Sequence, residues 1–146
     1  MSFAAVESEA AREGLRLLQA GIHQAATLAL RGAVKAAEDS AKGTTLWKDK
    51  SGATRASVRG EVVGETGIVS TAGAAKFLEN GTAAHQIVAR NARMLHFFVN
   101  GQEFFRRMVQ HPGTKERPFM RQARERGEIA LEYGAEYYVN YAIARA

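Results

Sequence analysis

The chain of 146 residues is long enough for one globular domain, and its 46% apolar and 24% charged residues are ordinary for a soluble protein. The absence of cysteine excludes disulfides, thiolate catalysis and cysteine-ligated zinc. We see no leader and no membrane helix, which predicts a cytoplasmic origin without membrane contact, and the net charge of +5 permits an acidic partner.

The first predicted element is a long helix within residues 1–42, beginning near residue 4. Apolar residues recur there every three or four positions, and the abundant alanine favours a helix. Such a helix would be about 58 Å long, far beyond the ~15 Å radius of gyration of a domain of this size. We therefore expect either a break at Gly14, Gly21 or Gly32, or a contact of the helix with another subunit. The predicted apolar face comprises Leu15, Leu18, Ile22, Ala26, Leu30, Val34 and Ala37.

Residues 54–110 hold the predicted antiparallel sheet, which follows a polar loop with a mobile tip. Trp47, in that loop, is expected to cover an edge of the core. Alternating apolar residues and turn-forming glycines predict short strands that are joined by hairpins. The predicted elements are strands at 54–63, 67–71 and 85–89 and a short helical or irregular piece at 74–82.

The clearest local signal lies at 94–109, where two β-prone runs flank Asn100 and Gly101. Both residues accept the positive φ angles that a type I′ turn requires. The turn places Phe97 opposite Phe104, and we therefore predict a tight hairpin here.

Both prolines of the chain lie in the segment HPGTKERPFM, residues 111–120. Pro112 and Gly113 suit a type II turn that ends the last strand, and Pro118 suits the first position of a helix. The residues between the prolines then project from a stiff loop, 111–118. Because the prolines already restrict its backbone, this loop would lose little conformational entropy on binding. We predict that this loop contacts a partner.

A second long helix is predicted over 119–146, where the period of 3.6 residues returns. Its glutamates form one polar face, which we interpret as a salt-linked surface in contact with solvent. All four tyrosines lie near its end, and they are expected either to bind a subunit or to fill the core of the chain itself. The whole pattern predicts a single α+β domain, 1–146, in which an antiparallel sheet of about four strands packs against the long N-terminal and C-terminal helices.

The sequence offers little catalytic machinery, since it lacks the nucleophile-elbow, zinc-protease and phosphate-loop motifs. A metal held by histidines and Glu79 is conceivable, but the spacing of the histidines fits no zinc motif. We therefore predict no enzyme activity, no cofactor and no metal, and a metal-dependent hydrolase is the weakest alternative. The four histidines are His23, His85, His96 and His111.

Basic residues cluster from the predicted sheet into the last helix, with Phe104 and Phe105 between them. Such a surface suits phosphate contact and base stacking, so a small basic nucleic-acid-binding protein is the main alternative function. The candidate DNA-facing residues are Arg106, Arg107 and Arg117. The whole cluster comprises Arg90, Arg93, Arg106, Arg107, Lys115, Arg117, Arg121 and Arg124.

Four blocks between residues 51 and 120 resemble the tail-completion, or head–tail joining, family of minor tail proteins in tailed bacteriophages. SGATRASV (51–58) is similar to the family's Thr-Gly-x-Leu-Arg-x-Ser-Ile pattern, and AAKFLENGT (74–82) to its Tyr-Ala-x-Tyr-Val-Glu-x-Gly-Thr pattern. HQI and LHF, at 85–87 and 95–97, match its His-x-Ile and Leu-x-Phe strands. HPGTKERPFM resembles its most distinctive signature, His-Pro-Gly-Thr, three residues and then Pro-Phe-hydrophobic. The departures are Ala53, Ala74 and Phe77.

The resemblance implies a structural virion protein rather than an enzyme, assembled as a homo-oligomeric ring at the neck or the top of the tail. Its neighbours would be the tail terminator and the connector or stopper proteins, and its basic surface would touch passing DNA without reading sequence. It would be made in the host cytoplasm and end in the virion. The expected interface residues are His111, Pro112, Gly113, Thr114, Lys115, Arg117, Pro118 and Phe119 in the loop, and Tyr133, Tyr137, Tyr138 and Tyr141 in the last helix.

Overall fold

A computed structural model describes residues 9–145 and shows an α+β protein with long N-terminal and C-terminal helices and small antiparallel sheets. The first part of the predicted N-terminal helix, before residue 9, and residue 146 lie outside the described residues. The elements in chain order are α1 (Glu9–Gly43), α2 (Ala53–Ser57), β1 (Arg59–Val63), β2 (Thr66–Ser70), α3 (Ala75–Asn80), β3 (His85–Val88), β4 (Leu95–Val99), β5 (Gln102–Arg106), β6 (Met108–His111) and α4 (Phe119–Ile143).

The chain divides into two compact units. The helical unit comprises Met1–Gly73 and Phe119–Ala146, and the ribbon unit comprises Ala74–Pro118. The helical unit therefore contains α1, α2, the β1–β2 hairpin and α4, whereas the ribbon unit contains α3 and the four remaining strands. No helix among residues 9–145 combines the length and hydropathy that a membrane span requires.

The core of the helical unit is a close contact between α1 and α4. Alanines spaced four residues apart place small side chains along one line of α1, because positions i and i+4 share a helix face. Opposite them, a Cβ atom at Gly127 would lie 3.0 Å from Ala37 Cβ, and one at Gly134 would lie 3.3 Å from Ala29 Cα. Backbone therefore approaches backbone, and the two helices run antiparallel. The buried alanines of this line are Ala25, Ala29, Ala33, Ala37 and Ala41.

α1 is continuous over 35 residues, so none of the three glycines named above breaks it. Gly14 and Gly32 have no atom within 4 Å of an added Cβ, whereas Gly21 faces Ala142 of α4 at 3.5 Å. Because α4 ends at Ile143, the first turns of α1 extend beyond it, and Leu15 is exposed there. Of the two sequence-based options for the long helix, the structure contradicts the break.

The β1–β2 hairpin packs on α1 through two glycines. A Cβ atom at Gly60 would lie 2.7 Å from Val34 Cγ1, and one at Gly67 would lie 2.5 Å from Val34 Cγ2. Glycine is therefore required at both positions to let the hairpin approach the helix. The strand predicted at 54–63 is shorter than expected, because residues 53–57 form α2 instead.

Trp47 and Phe119 form the aromatic part of the core, with ring centroids 5.4 Å apart in an edge-to-face arrangement. The Arg55 guanidinium lies over the Trp47 ring and donates hydrogen bonds to the carbonyl oxygens of Lys42, Thr44 and Trp47. It thus holds the loop that follows α1 against the end of that helix.

The tip of this loop, predicted to be mobile, is organised by Asp49. Its carboxylate accepts backbone N–H donors from Gly52 and Arg55, both at 2.9 Å. The Arg55 amide donor is the main cause that lowers the pKa of the Asp49 carboxyl below its ordinary value of 3.8.

The prediction of one sheet of about four strands is wrong, because the strands form three separate two-stranded sheets. β1 pairs only with β2, β3 with β6, and β4 with β5. The two pairs of the ribbon unit are nested in one long hairpin that is closed by the Asn100-Gly101 turn. Six residues (89–94) separate β3 from β4, whereas Arg107 alone separates β5 from β6. This unequal spacing breaks the ladder in two, and each strand keeps a single partner.

The predicted β4–β5 hairpin is confirmed, and so is its register, with Phe97 opposite Phe104 and Val99 opposite Gln102. Asn100 and Gly101 have φ angles of 50° and 81°, as a type I′ turn requires. α3, β3 and α4 also form within the predicted ranges, apart from shifts of a few residues at their ends.

Candidate interface surfaces

The 111–118 loop is fastened to the segment that follows α3. Thr82 and Thr114 form an isolated antiparallel bridge, in which each backbone N–H donates to the other residue's carbonyl oxygen, at 2.9 and 3.0 Å. The Thr82 hydroxyl oxygen accepts a further bond from the Thr114 N–H at 3.0 Å. Three residues later, the Arg117 N–H donates to the Leu78 carbonyl oxygen at 2.7 Å. We call this set of backbone contacts the threonine clamp.

Two glycines make the threonine clamp possible. Gly81 and Gly113 have φ angles of 66° and 91°, which residues with a side chain rarely adopt. A Cβ atom at Gly81 would lie 2.5 Å from the Thr114 carbonyl oxygen, and one at Gly113 would meet the Thr82 carbonyl oxygen. Both the backbone angle and the close approach therefore demand glycine. The prediction of a glycine with positive φ after Pro112 is confirmed.

The clamp leaves three of the predicted interface residues of the loop exposed: Pro112, Lys115 and Arg117. His111, Gly113, Thr114 and Pro118 are half-buried, and their backbone is largely engaged in the strand end and in the clamp. The loop therefore offers a partner Pro112 and the charged side chains of residues 115–117, two of them basic and one acidic.

Phe119 does not belong to an exposed loop surface. It is the first residue of α4, it is only 1% exposed, and its ring packs against Trp47. The ring therefore belongs to the core of the helical unit, and the interface role of Phe119 stays a prediction. Sequence proximity to the loop suggested the wrong environment.

Two of the three histidines of the ribbon unit face each other across a strand pair. His85 and His111 lie opposite each other in the β3–β6 ladder, with ring centroids 5.0 Å apart. The Nδ1 atom of His111 accepts a bond from the Gly113 N–H at 3.1 Å, which shapes the turn. Among residues 9–145, no three histidine or acidic side chains come together as metal ligands.

Three of the four tyrosines are exposed on α4. Tyr133 is 72% exposed and Tyr137 is 65% exposed, and Tyr141 also faces solvent, whereas Tyr138 is half-buried. Tyr137, Tyr138 and Tyr141 line one side of a groove of about 740 Å³, whose other side is α1 around Leu17. Of the two sequence-based options, filling the core of the chain fits only Tyr138.

One exposed side of α4, which borders the groove toward α1 at Tyr137, combines apolar and acidic groups. Ile129, Tyr133 and Tyr137 form an exposed strip along the helix, and glutamates run beside it at intervals of three or four residues. Between Gly127 and Ala144, α4 carries glutamates but no lysine or arginine. We call this surface, with the glutamates Glu125, Glu128, Glu132 and Glu136, the α4 outer face.

Only the start of the α4 outer face is salt-linked as predicted. Arg124 Nε donates to Glu128 Oε1 at 2.7 Å, and this bond raises the pKa of Arg124 above its ordinary value. Glu132 and Glu136 lie further along, where α4 has no basic residue within one helical turn. The acidic charge of this half is therefore not neutralised by its own helix.

The ribbon unit carries nearly all of the net charge. Its seven basic and three acidic residues give +4 of the chain's +5, and all seven basic side chains are exposed. Phe98, at 65%, and Phe105, at 50%, are exposed on the same hairpin as Arg106. Arg107 lies at the bend between β5 and β6. The seven basic residues are Lys76, Arg90, Arg93, Arg106, Arg107, Lys115 and Arg117.

Comparison of the chain with protein-family models, with curated proteins and with solved structures gives no significant match. The resemblance to phage tail-completion proteins therefore rests on the residues of the four blocks themselves.

Proposed function

We propose that this chain is a structural virion protein, a head–tail joining or tail-completion subunit that assembles as a ring at the neck or the top of a phage tail. Its neighbours there are the tail terminator and the connector or stopper proteins. The proposal includes no catalytic step and no cofactor.

The observation that carries the proposal is the threonine clamp. Two blocks of the resemblance, 74–82 and 111–120, are more than twenty residues apart in the chain, yet the clamp joins them. Four residues of these blocks have a physical task there: Gly81 and Gly113 permit close approach, and Thr82 and Thr114 exchange backbone bonds. A resemblance whose matching residues meet in the fold supports the proposal better than a match in sequence alone.

The exposed apolar surface supports the assembly part of the proposal. Among the described residues, only Phe119 and Val58 are large side chains with less than 2% exposure. Leu15 and Leu17 on α1, and Tyr133 and Tyr137 on α4, are more than 60% exposed. Leu17 and Tyr137 line the same groove, and an exposed apolar surface of this kind favours protein–protein contact, which the neck of a phage would cover.

The direct test is deletion of the coding sequence from a phage or prophage that carries it. We expect heads and tails that accumulate separately, because the joint between them is missing, and we expect plasmid-borne wild-type protein to restore joined particles. Electron microscopy of the lysate distinguishes joined from unjoined particles. Normal, infectious virions from the deletion would contradict the proposal.

One observation favours a second candidate, a small basic nucleic-acid-binding protein. The charge of the ribbon unit, together with the exposed Phe98 and Phe105, offers phosphate contacts and stacking groups on one hairpin. Its test is binding of purified protein to DNA of mixed sequence at several salt concentrations. Binding that weakens steeply with salt, and that is lost when Arg106, Arg107 and Arg117 are changed to glutamine, would favour this candidate.

A further inference from the structure

We infer that the subunits join head to tail, with the ribbon unit of one copy docked on the α4 outer face of the next copy. The inference rests on the proposed ring and specifies its contact. The occupant of the α4 outer face is a second copy of this chain, and the argument is complementarity of charge and of exposed apolar groups.

The ribbon unit has unpaired strand edges and exposed side chains that a neighbouring subunit could cover. β4 and β5 pair only with each other, so the outer edge of each strand is left without a strand partner. A two-stranded hairpin is marginally stable in water unless it packs on something else. Phe98 and Phe105 are exposed on one face of this hairpin, and Arg106 lies on the other face over the Phe104 ring, so the hairpin offers exposed rings on one side and positive charge on the other.

The α4 outer face has the opposite charge and the same mixed character. Glu132 and Glu136 have no basic neighbour on their helix, and Tyr133 and Tyr137 next to them are among the most exposed large side chains. Tyrosine and arginine are enriched at interfaces, where a ring stacks against a ring or a guanidinium. Docking the ribbon here sets positive groups against negative ones and covers exposed rings on both surfaces.

The charges decide the symmetry of the contact. A two-fold symmetric contact through the ribbon units would bring +4 against +4, and one through the α4 outer faces would bring glutamates against glutamates. Like charges set against each other oppose both arrangements. A contact between two different surfaces avoids the repulsion, and repetition of such a contact closes into a ring when the rotation allows it.

The test uses two charge-reversal variants of the full chain. The ribbon variant is Arg106→Glu with Arg107→Glu, and the α4 variant is Glu132→Arg with Glu136→Arg. We expect each variant alone to assemble at least about tenfold more weakly than the wild type, because each sets like charges against each other at the substituted positions. Analytical ultracentrifugation and native mass spectrometry measure the assembly.

An equimolar mixture of the two variants is the decisive sample. Every contact between unlike chains again joins opposite charges, so we expect assemblies with equal numbers of the two variants. The matched control for the ribbon variant, Lys48→Glu with Lys50→Glu, changes the net charge by the same amount at exposed positions elsewhere and should assemble as the wild type does. Far-UV circular dichroism and Trp47 fluorescence confirm that each variant is folded.

Two results would overturn the inference while leaving the proposed ring intact: variants that assemble normally, or a mixture that stays dissociated although both chains are folded. A ribbon variant that loses DNA binding but assembles normally would also overturn it, in favour of a nucleic-acid role for the hairpin. A wild-type chain that remains monomeric at all concentrations would overturn both the inference and the ring.

Discussion

Gly113 lies so close to the carbonyl oxygen of Thr82 that the position of a Cβ atom at residue 113 is already occupied. We expect Gly113→Ala to lower the free energy of unfolding of the ribbon unit by about 3 kcal/mol, because a left-handed backbone angle costs roughly 1–2 kcal/mol and overpacking costs a further ~1–3 kcal/mol. Urea unfolding and hydrogen exchange of the Thr114 amide measure the loss.

Gly101→Ala is the matched control for this change. Gly101 has a similar φ angle of 81°, but no atom lies within 4 Å of the added Cβ. Its loss should therefore be limited to the backbone cost of about 1–2 kcal/mol. Equal losses at the two positions would show that the close approach between the two segments does not matter.

The contact between α1 and α4 gives a second pair of identical substitutions. Gly32→Ala should stabilise the helical unit by up to about 1 kcal/mol, because alanine favours helix and the site is open. Gly127→Ala gains the same helix propensity, but its Cβ would lie 3.0 Å from Ala37 Cβ and 3.2 Å from the Ala33 carbonyl oxygen. We expect no net gain there, and thermal unfolding compares the two. A gain of equal size at Gly127 would contradict the close packing.

Phe119 tests whether the start of α4 serves the core. Phe119→Ala should lower the free energy of unfolding by about 3–5 kcal/mol, as is usual for a buried ring. Because Trp47 is the only tryptophan and touches this ring, its fluorescence should shift to longer wavelength. In the control, Phe98→Ala, the exposed ring should cost about 0.5 kcal/mol or less in the free subunit. Weakened assembly of Phe119→Ala without a loss of stability would instead indicate an interface role.

Asp49 predicts a pH dependence. Its pKa is lowered in the folded chain, so the ionised form stabilises the fold at pH values above the unfolded pKa. That stabilisation is lost as the pH falls through the lowered, folded pKa. Asp49→Asn should therefore be less stable than the wild type at pH 7, and the difference should shrink toward zero in strong acid.

The control for Asp49 is Glu65→Gln, which removes an exposed carboxylate from the β1–β2 turn. Its unfolding free energy should follow the wild-type curve much more closely at neutral pH. A difference between Asp49→Asn and the wild type that stayed constant from pH 7 to pH 2 would mean that the carboxylate charge is not responsible.

Features that depend on neighbouring residues were predictable from the sequence. Asn100 and Gly101 favour the backbone angles of a type I′ turn. This turn type determines which residues of β4 and β5 lie opposite each other. The two long helices were equally evident from their periodicity. Both signals lie within one segment of the chain.

Features that depend on distant partners were not predictable. Leucine and isoleucine dominate the apolar face predicted for α1, yet Ile22 is exposed. The alanines face α4 instead, because small side chains allow the two helices to approach closely. Strand positions were visible, but the pairing of each strand with a single partner depends on the unequal spacing between β3, β4, β5 and β6. The threonine clamp likewise joins two segments that are distant in the chain, and no local sequence pattern predicts their contact.

In the candidate interface, chemistry was easier to predict than environment. The tyrosines and arginines were identified by type, and most of them are exposed. The burial of Phe119 could not be predicted, because it depends on Trp47, which lies far from it in the chain. The charge separation between the ribbon unit and α4 was missed, since it emerges only when the chain is divided into its two units.

The division of the helical unit between two distant stretches of chain has a consequence for biosynthesis. α1 is translated before the ribbon unit, and its partner α4 follows only after the whole ribbon unit. At a translation rate of about 5–20 residues per second, the alanine line of the nascent helix stays without its α4 partner for several seconds. Ribosomes stalled before codon 119 should therefore hold chains whose first helix is sensitive to protease and attractive to chaperones.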